Sequence, residues 1–294
     1  MISVTNDWVW REKVKAYMEL LKFRLSLTVA FSSAFGYVLG VGGPIDWVHF
    51  AQFVLGGFLI TGSSVTINQL LEIRFDLVMK RTKNRPLPTQ RLSVRETIAY
   101  AFVLALFGTV LLSYATNGTT VVLSLASLIL YAFIYTPLKR VGPIAVLVGA
   151  FPGALPPLIG WVASTGAISH EALIIFGIQF IWQFPHFWAI AWVADEDYKK
   201  AGFKLLPGAG KKDLNTAINI MVYTLFLLPL GLLPSYFGLT GIGSGVVATI
   251  CGVLFLAQTF QLLKDNSRKS ALKIMFGSFM YLPVVQIAYL IDKV

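Results

Sequence analysis

Hydrophobic residues in this chain gather into runs of 17 to 24 positions, separated by short polar stretches, along nearly its whole length. Nine such runs can be read, at 25–41, 48–71, 97–115, 119–135, 141–161, 173–193, 214–236, 245–263 and 274–291. Each is long enough to cross the hydrocarbon core of a bilayer as a helix. The runs lack the strict alternation of barrel strands, and helices are then the structure that satisfies every backbone polar group in lipid. The expected fold class is all-α: a polytopic membrane protein with nine transmembrane helices in a bundle around a central cavity. The fourth run is short and stops at Tyr135-Thr136-Pro137.

Charge adds an orientation. Only 13% of residues are charged, about half the share of a soluble domain. Of the 24 Lys and Arg, all but Lys293 fall before the first run or in alternate loops: 2–3, 4–5, 6–7 and 8–9. By the positive-inside rule these segments face the cytoplasm. The expected topology places residues 1–22 as a cytoplasmic N-terminal segment and the C-terminus outside. Nine helices satisfy that parity, whereas eight or ten would break it. The N-terminal residues, with Asp7, Glu12 and Glu19 among the basic ones, resemble neither a transit peptide nor a signal peptide. The expectation is a single integral-membrane domain, 1–294, in a bacterial inner (plasma) membrane. The net charge of +10 is then a charge of the cytoplasmic face, and in loops 4–5 and 8–9 it mainly sets topology and meets anionic lipid. The single Cys251 lies in an apolar run, which excludes an intramolecular disulfide and a multi-cysteine metal site.

Two acidic clusters stand out against this background, both at the inner ends of runs. Asn68, Glu72 and Asp76 are spaced i, i+4, i+8. On one continuous helix each step drifts about 40°, so the three would project from one stripe. Ionisable groups there need a polar cavity or partners. Magnesium typically takes one or two carboxylates together with substrate phosphates. Arg81, Lys83 and Arg85 follow, before the helix-breaking Pro86 and Pro88, and can contact phosphate, Arg in bidentate fashion.

The second cluster, Asp195-Glu196-Asp197-Tyr198, emerges on the same face. Asp197 is its best candidate ligand, so Glu72, Asp76 and Asp197 form the expected metal set and, with Asn68, the expected catalytic set. Lys139 and Tyr198 complete the candidate diphosphate contacts with Arg81, Lys83 and Arg85. Asp76 and Asp197 lie 121 positions apart, a faint sign of a repeat of four helices. Two carboxylate sets across an apolar bundle suit metal-assisted loss of a diphosphate from an allylic carbon, with aromatic faces stabilising the carbocation.

The stretches NQLLEIRFDLVMKRTKNRPLP (68–88), YTPLKRVGPIAVLVGAFPGALPPLIGW (135–161), QFPH (183–186) and DYKKAGFKLLP (197–207) resemble the UbiA-type intramembrane prenyltransferases, and within them the branch that works on heme. The resemblance covers nearly the whole chain. It implies transfer of a farnesyl group from farnesyl diphosphate to a vinyl group of heme b, with Mg2+, giving heme O for a downstream heme-modifying enzyme or terminal oxidase assembly. Two positions depart from the broad family pattern. Glu72 stands where Asp is usual. In the second motif, where two acids four apart are common, Val193 and Ala201 flank Asp197, and whether Asp195 or Glu196 substitutes is open.

Of the three histidines, His49 and His170 fall near outer ends of runs. His186 lies inside the sixth, beside Pro185. It is either a buried histidine bonded to another helix or, given the resemblance, a residue that holds heme through iron or a hydrogen bond. Other readings are a sister prenyltransferase acting on a quinone precursor or another tetrapyrrole, a membrane transporter and an assembly factor. Against the transporter, the acids sit at inner helix ends and not at mid-membrane.

Overall fold

The structure is a computed structural model that describes residues 6–208 and 210–294. The first five residues of the N-terminal segment expected over 1–22 lie outside the described ones. Among the described residues, helix α1 (Asn6–Leu20) precedes nine helices long and apolar enough to span a membrane. They are α2 (Phe23–Gly40), α3 (Trp47–Leu71), α5 (Val94–Ala115), the composite α6 (Gly118–Ile129) to α7 (Thr136–Leu138), α8 (Ile144–Thr165), α9 (His170–Val193), α11 (Leu214–Tyr236), α12 (Ile242–Asp265) and α13 (Arg268–Ile291). Two short helices, α4 (Ile73–Asp76) and α10 (Asp195–Lys200), follow α3 and α9. The nine spans read from hydrophobicity are all present, and the protein is an all-helical polytopic membrane protein.

Most span ends shift by a few residues because caps, and not hydropathy, set them. Ser93 opens α5 with a capping box shared with Glu96. Asp46, Asn117, Asp213 and Ser267 each accept backbone N–H bonds at the start of α3, α6, α11 and α13. The one Lys or Arg described at the end opposite the basic loops also has a local role. Lys293 Nζ donates to the carbonyls of Val38 and Val41 at the C-terminus of α2, where a cation suits the helix dipole.

Two features hold the spans together. Helices α2 and α8 approach backbone to backbone: a Cβ on Gly36 would collide with the carbonyl of Pro157, and one on Gly160 with that of Ser33. Small residues at helix crossings are the usual route to such contact in lipid. Deeper in, Gln179 Oε1 accepts from Ser32 Oγ at 2.7 Å and from Gln286 Nε2 at 3.0 Å, while Gln179 Nε2 donates to Gly153 O at 2.8 Å. This buried knot ties α9 to α2, α13 and α8.

Helices α3 and α5 pack closely, as do α9 and α11, and α2–α3 contacts are matched by α8–α9. That pairing has the form of a four-helix repeat, with α13 packed on α9, α12 and α2. The acidic ends repeat too. Helix α3 breaks at Glu72 (φ −103°, ψ 5°) and α9 at Ala194 (φ −96°, ψ 10°), each before a short helix.

Gln179→Leu would leave Ser32, Gln286 and the Gly153 carbonyl short of partners in a buried setting. We expect a loss of about 1–3 kcal/mol, read as a lower thermal unfolding midpoint in detergent. An unchanged midpoint would show that the knot does not hold these helices together.

Candidate active site

The site lies at the end of the bundle where α3, the α6–α7 span and α9 finish, which is the basic end. Asn68 (1% exposed), Glu72 (4%) and Asp76 (0%) are all buried. The stripe expected of a continuous helix is modified. The break at Glu72 divides it, and each of the three side chains finds a different partner. Asn68 Nδ2 donates to Thr136 Oγ1 at 2.9 Å and its Oδ1 accepts from Lys22 Nζ at 3.3 Å. Glu72 Oε1 pairs with Lys139 Nζ at 2.8 Å. Both oxygens of Asp76 accept from Arg85 Nη1, at 2.9 and 2.8 Å.

The cations come from three separate segments. Arg85 belongs to the loop after α4, which bends back so that Thr82 Oγ1 donates to the Asp76 carbonyl at 3.1 Å. Ala16 and Leu20 of α1 pack with Leu87 and Leu92 against that loop, and Gln69 Nε2 donates to Leu20 O at 2.8 Å. Lys139 follows α7 and lies over the Tyr135 ring, 4.7 Å from its centroid. Burial draws the Lys139 ammonium down, but the Glu72 carboxylate outweighs it and leaves the group above its ordinary value. Lys22 stands between α1 and α2 in a left-handed conformation, φ 44°. Burial first, then the Arg85 and Lys139 cations, pull it down to about 7.

The spacing of candidate ligands did not reveal Lys22, Tyr131, Tyr135 or Thr136. Tyr131 and Tyr135 lie in a π-helical stretch, Leu130–Tyr135, with ring centroids 5.3 Å apart. Thr136 Oγ1 donates to Tyr131 O at 2.9 Å. Pro137 has no N–H for the carbonyl four residues earlier, which favours a local change of register. Such bulges are frequent at functional sites. The only sequence sign was the Tyr135-Thr136-Pro137 stop.

The second acidic cluster meets the first through loops. Asp197 Oδ1 accepts from Lys80 N and Oδ2 from Arg81 N, both at 3.1 Å. Burial opposes its ionisation, but these two amides and the nearby Lys200 and Arg81 hold Asp197 below the usual carboxylate range. The rings of Phe75 and Phe203 pack at 5.3 Å across the same junction, and Tyr198 packs on Phe203. Asp195 pairs with Lys199 at 2.9 Å and Lys212 at 3.3 Å. Glu196, Arg81 and Lys83 are exposed. Asp197 therefore joins α10 to the loop after α4, while Glu72 and Asp76 face the buried cations.

Among the described residues no three of His, Cys, Asp and Glu come together as a preformed metal cage. Two buried carboxylates close to several cations fit a different arrangement, a magnesium ion completed by phosphate oxygens and water. Glu72 and Asp76 could hold it; Asp197, expected beside them as a ligand, has its two oxygens engaged by the Lys80 and Arg81 amides.

His186 is buried between α9 and α13. Its Nδ1 lies 2.8 Å from Ser278 Oγ, and that hydroxyl donates its only hydrogen to Met275 O at 2.6 Å. His186 must therefore donate from Nδ1, which leaves the lone pair on Nε2. Trp182 stacks on the ring at 4.6 Å and Phe279 meets it edge-on. His49 and His170 sit exposed beside Asp46 and Glu171.

This geometry defines a membrane-embedded enzyme with a buried, charge-paired site at one end of its helices. The model of the UbiA prenyltransferase family matches residues 29–282, and the chain belongs to that family. It is an enzyme, a prenyltransferase. Over 95% of its length it is 54% identical to a protoheme IX farnesyltransferase of Cytophaga hutchinsonii, covering 98% of that protein. It is 44% identical to the protoheme IX farnesyltransferase of Christiangramia forsetii, with 94% of this chain and 93% of that protein covered. The fold is shared with a digeranylgeranylglyceryl phosphate synthase (TM-score 0.79, 20% identity, 96% of this chain and 98% of that one). It is also shared with a UbiA homolog from Archaeoglobus fulgidus bound to GPP and Mg2+ (TM-score 0.66, 17% identity, 93% and 99%).

Asp197→Asn keeps the size of the side chain but offers one acceptor oxygen where two amides need one each. The Lys80 and Arg81 amides should then exchange with deuterium roughly 5-fold faster, a lost bond being worth about 1 kcal/mol. Unchanged exchange there would show that Asp197 does not hold α10 to the loop after α4.

Proposed function

We propose that this chain transfers a farnesyl group from farnesyl diphosphate to a vinyl group of heme b, giving heme O. The observation that carries the reading is the pair of buried acids, Glu72 and Asp76, each bonded to a cation, in a chain so similar to protoheme IX farnesyltransferases. The residues act as one prenyltransferase domain in a bacterial inner membrane, with the basic end and the N-terminus towards the cytoplasm.

Lys139, Arg85 and Lys22 bind the diphosphate, and Asn68 fixes the Lys22 ammonium. Arg81, Lys83 and Tyr198, at the rim, assist its arrival. Glu72 and Asp76 would hold a magnesium ion, which would supply charge neutralisation for the leaving group. Asp197 supports this set by fixing the loop that carries Arg85. The allylic C–O bond breaks and its electron pair leaves with the diphosphate. The ring faces of Tyr131 and Tyr135 stabilise the allylic cation by cation–π attraction. The vinyl π electrons of heme b then form the new C–C bond. Water adds to the cation left on the porphyrin side chain and loses a proton to the diphosphate, which places the hydroxyl. His186, with its lone pair on Nε2, holds the heme through iron. Heme O then passes to a heme-modifying enzyme or to terminal oxidase assembly.

Two variants test this. Asp76→Asn keeps the shape and removes a charge that works on the leaving group, so turnover should fall at least about 100-fold. Mass spectrometry of hemes in cells would then show heme b in place of heme O, and near-normal heme O would remove Asp76 from the mechanism. His186→Ala should change the absorption spectrum of bound heme while farnesyl diphosphate binding persists. An unchanged spectrum and unchanged heme dependence would make His186 a packing residue.

A further inference from the structure

Helices α12 and α13 pack on each other but leave a groove along their outer seam. A groove of about 600 Å³ runs between them, apart from the acidic site. Its lining on α13 extends from Lys269 to Val284, about 22 Å at 1.5 Å per residue. That is close to one leaflet, since a bilayer with its headgroups is about 40–45 Å thick. The inner part is apolar, with Leu254 and Phe255 on one wall and Phe276 and Met280 on the other. Gly277 opens the floor, where a Cβ would collide with Gln258 Oε1.

The mouth is cationic. Lys269 and Lys273 line it, and Lys264 and Arg268 stand in the same turn. None of these four has an ion-pair partner among the described residues, although Lys273 Nζ donates to Gln261 Oε1 at 3.0 Å. The single carboxylate there, Asp265, is engaged by Ser267 N at 2.9 Å and Ser270 Oγ at 2.8 Å. Two turns below Lys269 the amide of Gln258 lines the groove, and its buried Oε1 has no hydrogen-bond partner. The order along the groove is cations, then one polar amide, then hydrocarbon. A phospholipid has the complementary order of phosphate, glycerol esters and acyl chain.

We propose that the α12–α13 groove is a binding site for one anionic phospholipid, its phosphate between Lys269 and Lys273 and an acyl chain along Phe276 and Met280. The charge at the mouth selects anionic over zwitterionic headgroups, and the depth selects a lipid over a free anion.

Native mass spectrometry of the full chain, released from detergent with phosphatidylglycerol or phosphatidylethanolamine, tests this. The wild type should retain one phosphatidylglycerol. Lys269→Gln with Lys273→Gln should weaken retention at least about 10-fold, because each cation near an anionic headgroup is worth several-fold. Met280→Trp, at an exposed groove position, should fill the tail path and lower retention of both lipids. Prenyl transfer and the thermal midpoint should persist in all these variants, which shows that they fold. Phosphatidylglycerol retained equally by every variant, or phosphatidylethanolamine retained as well as phosphatidylglycerol, would overturn the proposal. So would displacement by inorganic phosphate, or loss of heme b binding in the lysine variant with phosphatidylglycerol binding intact.

Discussion

Burying carboxylates is the constraint on which the rest of this structure depends. Glu72 and Asp76 lie at a helix end with almost no exposure, and each is bonded to a cation from another segment. Desolvating such groups costs several kcal/mol per ion, and removing one partner of a buried pair typically costs about 3–5 kcal/mol. The pairs are therefore weak as a source of stability but strong as a specification. The loop after α4 must fold back to deliver Arg85, and the end of the α6–α7 span must deliver Lys139. Helix α1, the Asp197 link and the Phe75–Phe203 contact all hold those segments in place.

The same constraint leads to chemistry. Arg85 and Lys139 each face one of the two carboxylates, and Lys22 is a third basic group with no carboxylate of its own, bonded to Asn68. On the proposed function, an incoming diphosphate would offer its oxygens to the cations and free the carboxylates for a divalent ion. Lys22, drawn down to about 7, has the most to gain from an anion. On the same reading the apolar helices above this layer would exclude water from the allylic cation, and the polar knot at Gln179 ties them together.

Much of this was legible in the sequence, and the exceptions have physical reasons. The nine spans could be read because lipid demands unbroken apolar runs, which tertiary packing cannot disguise. Glu72, Asp76 and Arg85 could be read because charge at a membrane helix end is costly enough to need a purpose, and Asn68 because it shares the i, i+4 spacing of the acids. The break at Glu72 could not, since the i, i+4 spacing is compatible with a continuous helix. Nor could the π-helical turn at Tyr131–Tyr135, which shows in sequence only as a tyrosine, a threonine and a proline. Lys22 was hidden among basic residues that serve topology. Asp197 carried the right charge on the right face, yet its contacts are backbone amides of another loop, a pairing across more than a hundred residues that no local pattern encodes. The family match and the two protoheme IX farnesyltransferase relatives agree with the membrane prenyltransferase reading that these residues support.

If Glu72 holds Lys139 in reserve for the diphosphate and binds magnesium once released, neutralising it should act in opposite directions with and without the metal. The direct measurement is calorimetric binding of a non-ionising farnesyl diphosphate analogue to wild type and Glu72→Gln, each with magnesium and with chelator. With magnesium the variant should bind more weakly than wild type. With chelator it should bind more tightly, because Lys139 is free and a repelling carboxylate is gone. Weaker binding by the variant under both conditions, or no difference under either, would contradict the account.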